Sequence, residues 1–132
     1  MYYISSKRED MQPDRVIELI RQTYWAKDRD ESLIVKSMDS SECFGVFLAG
    51  SNRQIAFARV VTDYVSMFYI SDVIVDEAYR GLGAGKALIN SIVTDERFEN
   101  LRGLLVTSNA HGLYEHFGFH TASDRYMVKE SK

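Results

Sequence analysis

The chain has 132 residues, with 16 Lys and Arg against 19 Asp and Glu, so its net charge is -3. That length suits one domain with its own hydrophobic core, expected to span residues 1–132, and the charge excludes a general basic field for nucleic acid. The lone Cys43 excludes an internal disulfide, and no window approaches the ~20 apolar residues of a membrane span. Met1 to Arg8 contain no apolar signal core, so the cytoplasm is the expected location.

Tyr2 to Ser5 is β-prone, and Lys7 to Gln12 is polar and reads as a loop. Pro13 stands where the first residue of a helix tolerates it, and Val16, Ile17, Leu19, Ile20 and Thr23 predict an amphipathic helix reaching about Tyr24. Tyr24-Trp25-Ala26-Lys27-Asp28-Arg29-Asp30 then combines two large aromatics with alternating charge. Two readings stand open: aromatics covering the core beside solvated charges, or one wall of a substrate pocket. A second helix is predicted from Glu31 to Met38, capped by Asp30, with Leu33, Ile34 and Met38 inward.

Phe44 to Ala49 and Gln54 to Thr62 read as strands joined by the turn Gly50-Ser51-Asn52-Arg53, with alternation through Ile55, Phe57 and Arg59. Cys43 opens the apolar run Cys43 to Leu48 and reads as a buried thiol. After a turn at Asp63-Tyr64, Val65 to Val75 is the fourth strand. It leads into Arg80-Gly81-Leu82-Gly83-Ala84-Gly85-Lys86 and a helix with Ala84, Ala87, Leu88, Ile92 and Val93 inward. Gly103 to Thr107 is a further strand, Ala110 to Phe117 a short helix capped by Ser108 or Asn109, and Gly118 its left-handed stop. Phe119 to Thr121 and Arg125 to Lys129 are predicted to be two terminal strands.

A strand, a glycine-rich turn and a helix together aim backbone N–H groups at one spot suited to phosphate. Lys86 is followed by Ala87 and the glycines are closely spaced, which excludes a mononucleotide loop of the Walker type. Lys86 also stands where the dinucleotide fingerprint needs its third glycine. A turn that binds nothing is the competing reading. The pattern resembles the coenzyme A pyrophosphate loop of the GCN5-related N-acetyltransferases, Arg/Gln-x-x-Gly-x-Gly/Ala, which Arg80, Gly83 and Gly85 match in register. About 30 residues on, Leu113-Tyr114-Glu115-His116-Phe117-Gly118-Phe119 resembles the same family's LYxxxGF signature. The two motifs stand in the family's order, and the resemblance runs from about Phe44 to the end of the chain.

The resemblance implies an α/β (α+β) domain with a mixed, mostly antiparallel sheet of six or seven strands, about four helices, and a splay between the fourth and fifth strands. It implies acetyl-CoA as co-substrate, without a metal. Val73, Ile74 and Val75 would meet pantetheine by backbone hydrogen bonds. Arg80, Gly81, Leu82, Gly83, Ala84, Gly85 and Lys86 would hold the pyrophosphate, with Asn109 and Tyr114 also on the cofactor. Tyr114 would protonate the departing thiolate. The activity implied is acetyl transfer to a primary amine by direct attack in a ternary complex. The expected acceptor is a small molecule, with a peptide or protein amine second and a non-catalytic acyl-CoA sensor as the differing class. Tyr24 and Trp25 would wall the acceptor site if the pocket reading of their segment holds.

Asp72 is the first candidate for the base. An acid inside an apolar strand is expected to have a raised pKa and to contact the acceptor, and a hydrogen-bonded structural carboxylate is the alternative. His111 and His116 are further candidates. No His, Cys and acid cluster has metal spacing, and no Ser has nucleophile-elbow context. No nucleic-acid or membrane partner is expected, and a monomer or a homodimer is equally compatible with the sequence.

Overall fold

The computed structural model describes residues 1–131. In chain order its elements are β1 (Tyr2–Ser5), α1 (Pro13–Ile20), α2 (Glu31–Asp39), β2 (Glu42–Leu48), β3 (Gln54–Thr62), β4 (Met67–Val75), α3 (Ala84–Val93), β5 (Arg102–Leu104) and α4 (His111–Glu115). Short 3-10 turns at Arg8–Asp10 and Glu77–Tyr79 lie between them, and a third at Ser123–Arg125 follows α4. One sheet runs in the order β1-β2-β3-β4-β5. Its first three pairings are antiparallel and β4–β5 is parallel. No helix among the described residues is long and apolar enough to cross a membrane.

Helices cover both faces of the sheet. On one face, Leu88, Ile89 and Ile92 of α3 pack with Phe44, Val46, Ala58, Phe68, Ile70, Phe98 and Tyr114. On the other, Val16, Leu19 and Ile20 of α1 and Ile34 and Met38 of α2 pack with Cys43, Phe47, Phe57 and Ile74. Because both faces are covered, β2 and the first half of β3 are buried without a break. The alternation expected through Ile55 and Phe57 is therefore absent there and begins only at Ala58.

The departure that matters most for the site lies inside β4. Arg59 pairs with Ser71 while Phe57 pairs with Ile74, so one extra residue is accommodated opposite Ala58. Asp72 takes the left-handed conformation there, at φ 54°, which Asp tolerates better than most residues. An added residue exchanges the two faces of a strand. Phe68 and Ile70 thus face α3, whereas beyond the bulge Ile74 faces α1 and α2. The same switch carries the Asp72 carboxylate to the α1–α2 side of the sheet.

The β4–β5 ladder is short, ending at Tyr69 opposite Leu104. From Ile70 to Val75, β4 has only β3 as a strand neighbour among the described residues. The two strands part at this point, beside the bulge.

Four sequence expectations are corrected. α1 ends at Ile20 rather than near Tyr24, because the Thr23 hydroxyl donates to the Ile20 carbonyl at 2.8 Å and accepts the Ala26 N–H at 3.1 Å, folding the chain into turns. Leu33 is 54% exposed, since Ile34 and Met38, four apart, already form the inward stripe of α2. The sheet has five strands, not six or seven. Phe119–Thr121 and Arg125–Lys129 join no ladder among the described residues: Gly118, at φ 92°, turns Phe119 back so that its N–H bonds the Tyr114 carbonyl at 3.2 Å. Phe119 then packs edge-on to Tyr114, and Tyr126, Met127 and Val128 stay exposed.

Gly103 is where backbone crowding is tightest. A Cβ there would lie 2.6 Å from Phe68 Cζ and 3.1 Å from Phe119 Cζ, and Phe68 is held in a stack on Phe98. Gly103→Ala is expected to cost about 1–3 kcal/mol, read as a lower urea midpoint at unchanged slope. Cys43 is 2% exposed and its Sγ donates to the Met38 carbonyl. Burial pushes its thiol up to about 11. A thiol reagent at pH 8 is therefore expected to leave the folded protein unlabelled and to react at once in denaturant.

Candidate active site

Beyond β4 the chain is pinned before it reaches the glycines. Asp76 is buried and accepts from Arg15 Nη2 at 2.6 Å and from the Ala78 N–H at 3.0 Å. Arg15 also donates to the Gln54 carbonyl at 3.0 Å. The α1 side chain thus ties the end of β4 to β3. Burial pushes the Asp76 carboxyl up, but the Ala78 N–H, then Arg15 and Gln22, more than offset this and hold it below the usual carboxylate range. Gly81 and Gly83 both have positive φ, 86° and 79°, a conformation that most side chains resist. Tyr2 donates to the Leu82 carbonyl between them at 3.3 Å. Gly83 is the N-cap of α3, and the Ala87 N–H is the one that bonds back to the Gly83 carbonyl, at 3.0 Å. The N–H groups of Ala84, Gly85 and Lys86 precede it and have no partner within the helix. Arg80 and Lys86 are exposed on either side.

At the bulge, Asp72 is gripped by two arginines. Arg29, in the α1–α2 connection, donates from Nη1 at 2.7 Å and from Nη2 at 3.2 Å, one bond to each carboxylate oxygen. Arg59 on β3 donates from Nε at 2.8 Å, and its other nitrogens reach Ser41 Oγ at 3.0 Å and Ser71 Oγ at 3.3 Å. The Asp72 side chain is only 2% exposed. Burial pushes its carboxyl up, but the Arg29 and Arg59 hydrogen bonds and charges more than offset this and hold it below the usual range. The expected raised pKa is thus reversed. Two guanidinium groups on one carboxylate favour its charged form and oppose proton uptake near neutrality.

A cavity of about 390 Å³ opens where β4 and β5 part. Tyr24, Trp25 and Arg29 wall it from one side, Ser71, Asp72 and Val73 form its floor, and the segment from Leu105 to Ala110 with Tyr114 closes the other side. Tyr24 and Ser108 hydroxyls bond to each other across it. Tyr24 and Trp25 are 67% and 52% exposed and meet edge to face at 5.1 Å between ring centres. They line the cavity and do not cover the core. Tyr114 is 8% exposed. Burial alone pushes its phenol above the ordinary 10.0, so the hydroxyl keeps its proton at neutral pH.

Of the residues expected from sequence, Tyr24, Trp25, Asp72, Val73, Asn109 and Tyr114 come together around this cavity. Ile74, Val75 and Arg80 to Lys86 lie outside its lining, along the strand and loop that lead away from it. His111 and His116 do not line it. Sequence reading missed Arg29, Arg59, Ser71 and Ser108. The signal for Arg59 was a cation in the middle of an apolar strand, and for Arg29 the alternating charges beside Trp25.

A family description, the acetyltransferase (GNAT) domain, matches residues 40–121. A structure from Xanthomonas campestris pv. campestris assigned to the GNAT family is 34% identical, with a TM-score of 0.91 over 99% of this chain and 94% of that one. A protein of unknown function from meticillin-resistant Staphylococcus aureus shares the fold at 19% identity, with a TM-score of 0.81 over 100% of this chain and 99% of that one. An uncharacterised N-acetyltransferase of Bacillus subtilis, YitH, is 33% identical over 86 residues, 65% of this chain. The match spans 25% of the length of that relative. The matched residues take in the bulged β4, the glycine loop and Tyr114, and the chain belongs to the GNAT family of acetyltransferases.

Proposed function

We propose that the chain acts as one domain, an acetyl-CoA-dependent N-acetyltransferase for a primary amine of small size. The observation that carries this reading is the unpartnered stretch of β4, which runs from the Tyr114 cavity to the free N–H groups of α3. An extended acyl carrier with a phosphorylated end matches that layout: backbone edge in the middle, anion seat at one end, buried acid at the other. Bound acetyl-CoA would supply an activated acyl thioester.

The chain's own residues do the rest. Val73, Ile74 and Val75 offer backbone donors and acceptors along the open edge. The N–H groups from Gly81 to Lys86 hold the pyrophosphate, at the positive end of the α3 dipole. Tyr114 lines the cavity and keeps a proton at neutral pH, which it would give to the departing thiolate so that coenzyme A leaves as a thiol. Asp72 is a positioning residue that fixes the bulge and the α1–α2 wall. Among the described residues no other carboxylate and no imidazole lines the cavity, so the amine gives up its proton to solvent.

The test is acetyl-CoA-dependent thiol release across a panel of small primary amines. Amine-dependent release is the expected result. Tight acetyl-CoA binding with no release for any small amine or for peptide amino groups would point to a sensor instead.

A further inference from the structure

Apart from its walls, the acceptor side of the cavity has a definite charge. Its lining contains two ionised groups, Arg29 and Asp72, and Arg59 stands directly behind them. Two guanidinium groups against one carboxylate leave this cluster with one uncompensated positive charge. Arg59 spends its donors on Asp72, Ser41 and Ser71. Arg29 uses one N–H of each terminal nitrogen on Asp72, and its remaining donors have no partner among the described residues. Its side chain is 27% exposed and borders the cavity.

Arg29 is also held in place before any ligand arrives. Its N–H bonds the Ala26 carbonyl at 3.0 Å, its own carbonyl accepts from Arg21 at 2.8 Å, and Ala26 is buried. The guanidinium is oriented by Asp72 from below. A planar fork fixed in this way at a cavity wall, with N–H groups to spare, suits a carboxylate. Trp25 and Tyr24 stand at the same wall and offer flat apolar surface to the rest of the molecule.

We infer that the acceptor is an amine that also carries a carboxylate, an amino-acid-like molecule whose anionic group is taken by Arg29. This rests on the proposed acetyl transfer, which would put the acceptor amine between Tyr114 and Val73. One negative charge on the acceptor balances the surplus of the Arg29–Asp72–Arg59 cluster. Asp72 thereby shapes acceptor choice through Arg29 and not by contact with the amine.

The experiment compares kcat/KM for amino carboxylates with the carboxamides that differ only at that group. The carboxylate series is expected to be preferred at least tenfold, as a charged hydrogen bond implies. Arg29→Gln should bring the two series within about threefold, and Arg29→Lys should restore part of the preference, with acetyl-CoA affinity unchanged in both. Equal kcat/KM for the two series in the wild type, or a preference that survives Arg29→Gln, would overturn the inference. Calorimetry with the N-acetylated carboxylate and its amide, coenzyme A present, reads the same preference without turnover. Failure of every amine to react, with the carboxylate still preferred in binding, would defeat the proposed transfer and leave the Arg29 site standing. Equal binding of the two would remove the Arg29 site whatever the turnover.

Discussion

Asp72→Asn is expected to lower stability by about 3 kcal/mol, near the bottom of the range for breaking a buried ion pair because Arg29 is partly solvated. Asn keeps the tolerance for the left-handed backbone at φ 54°, so the loss reports charge and not strain. Without the carboxylate charge, Arg29 and Arg59 face each other across the bulge with no anion between them. For a chain of 132 residues this amounts to a fall of roughly 10 °C in Tm. Adding Arg59→Met to Asp72→Asn should recover part of it, since the second change removes one of the stranded cations.

The pH dependence follows from the direction of the shift. Asp72 titrates lower in the folded protein than the ordinary 3.8. Its contribution is therefore complete above the ordinary carboxylate value and is lost as pH falls through the depressed folded value. The difference between wild type and Asp72→Asn should be flat from pH 7 to about pH 4 and narrow below that, as measured by denaturant melts at each pH. A carboxyl with a raised pKa would instead lose its effect on going up in pH from acid, and the two profiles are easily told apart.

Tyr114→Phe is the second large effect, and it concerns rate. Loss of a positioned acid typically costs 10²–10⁴ in turnover. No hydrogen bond contributes to the state of the Tyr114 hydroxyl, and the ring contact with Phe119 survives the change, so stability and acetyl-CoA affinity should stay close to wild type. The expected signature is a fall in kcat with KM for acetyl-CoA unchanged. Because burial keeps the phenol protonated past 10.0, the wild-type rate should show no loss from Tyr114 ionisation below pH 9. A variant with wild-type kcat would take Tyr114 out of the chemistry.

Much of this was legible in the sequence because it depends on local backbone demands. The glycines at 81, 83 and 118 occupy left-handed positions, and a chain announces those by residue type. Pro13 at a helix start and Asp30 as a cap, its carboxylate accepting the Ser32 N–H at 2.8 Å, are of the same kind. The bulge was not legible. A one-residue slip leaves no mark in composition, yet it decides which face Asp72 takes. The same residue shows why the expected pKa went wrong: burial was foreseen from the apolar strand, but Arg29 comes from 43 positions away and Arg59 from 13. Pairings over such separations are fixed by topology alone. The two terminal strands failed for a related reason. Phe119 to Lys129 have β-prone residues, but the Gly118 turn commits Phe119 to the Tyr114 ring.

In the proposed activity the open edge of β4 and the start of α3 seat an acyl carrier. Thermal shift with acetyl-CoA and with ATP in parallel tests it most directly. Acetyl-CoA at a hundredfold excess over its Kd is expected to stabilise the protein by about 2.7 kcal/mol, while ATP at the same concentration leaves Tm essentially unmoved. Stabilisation by ATP alone, or no response to acetyl-CoA at any concentration, would contradict the account.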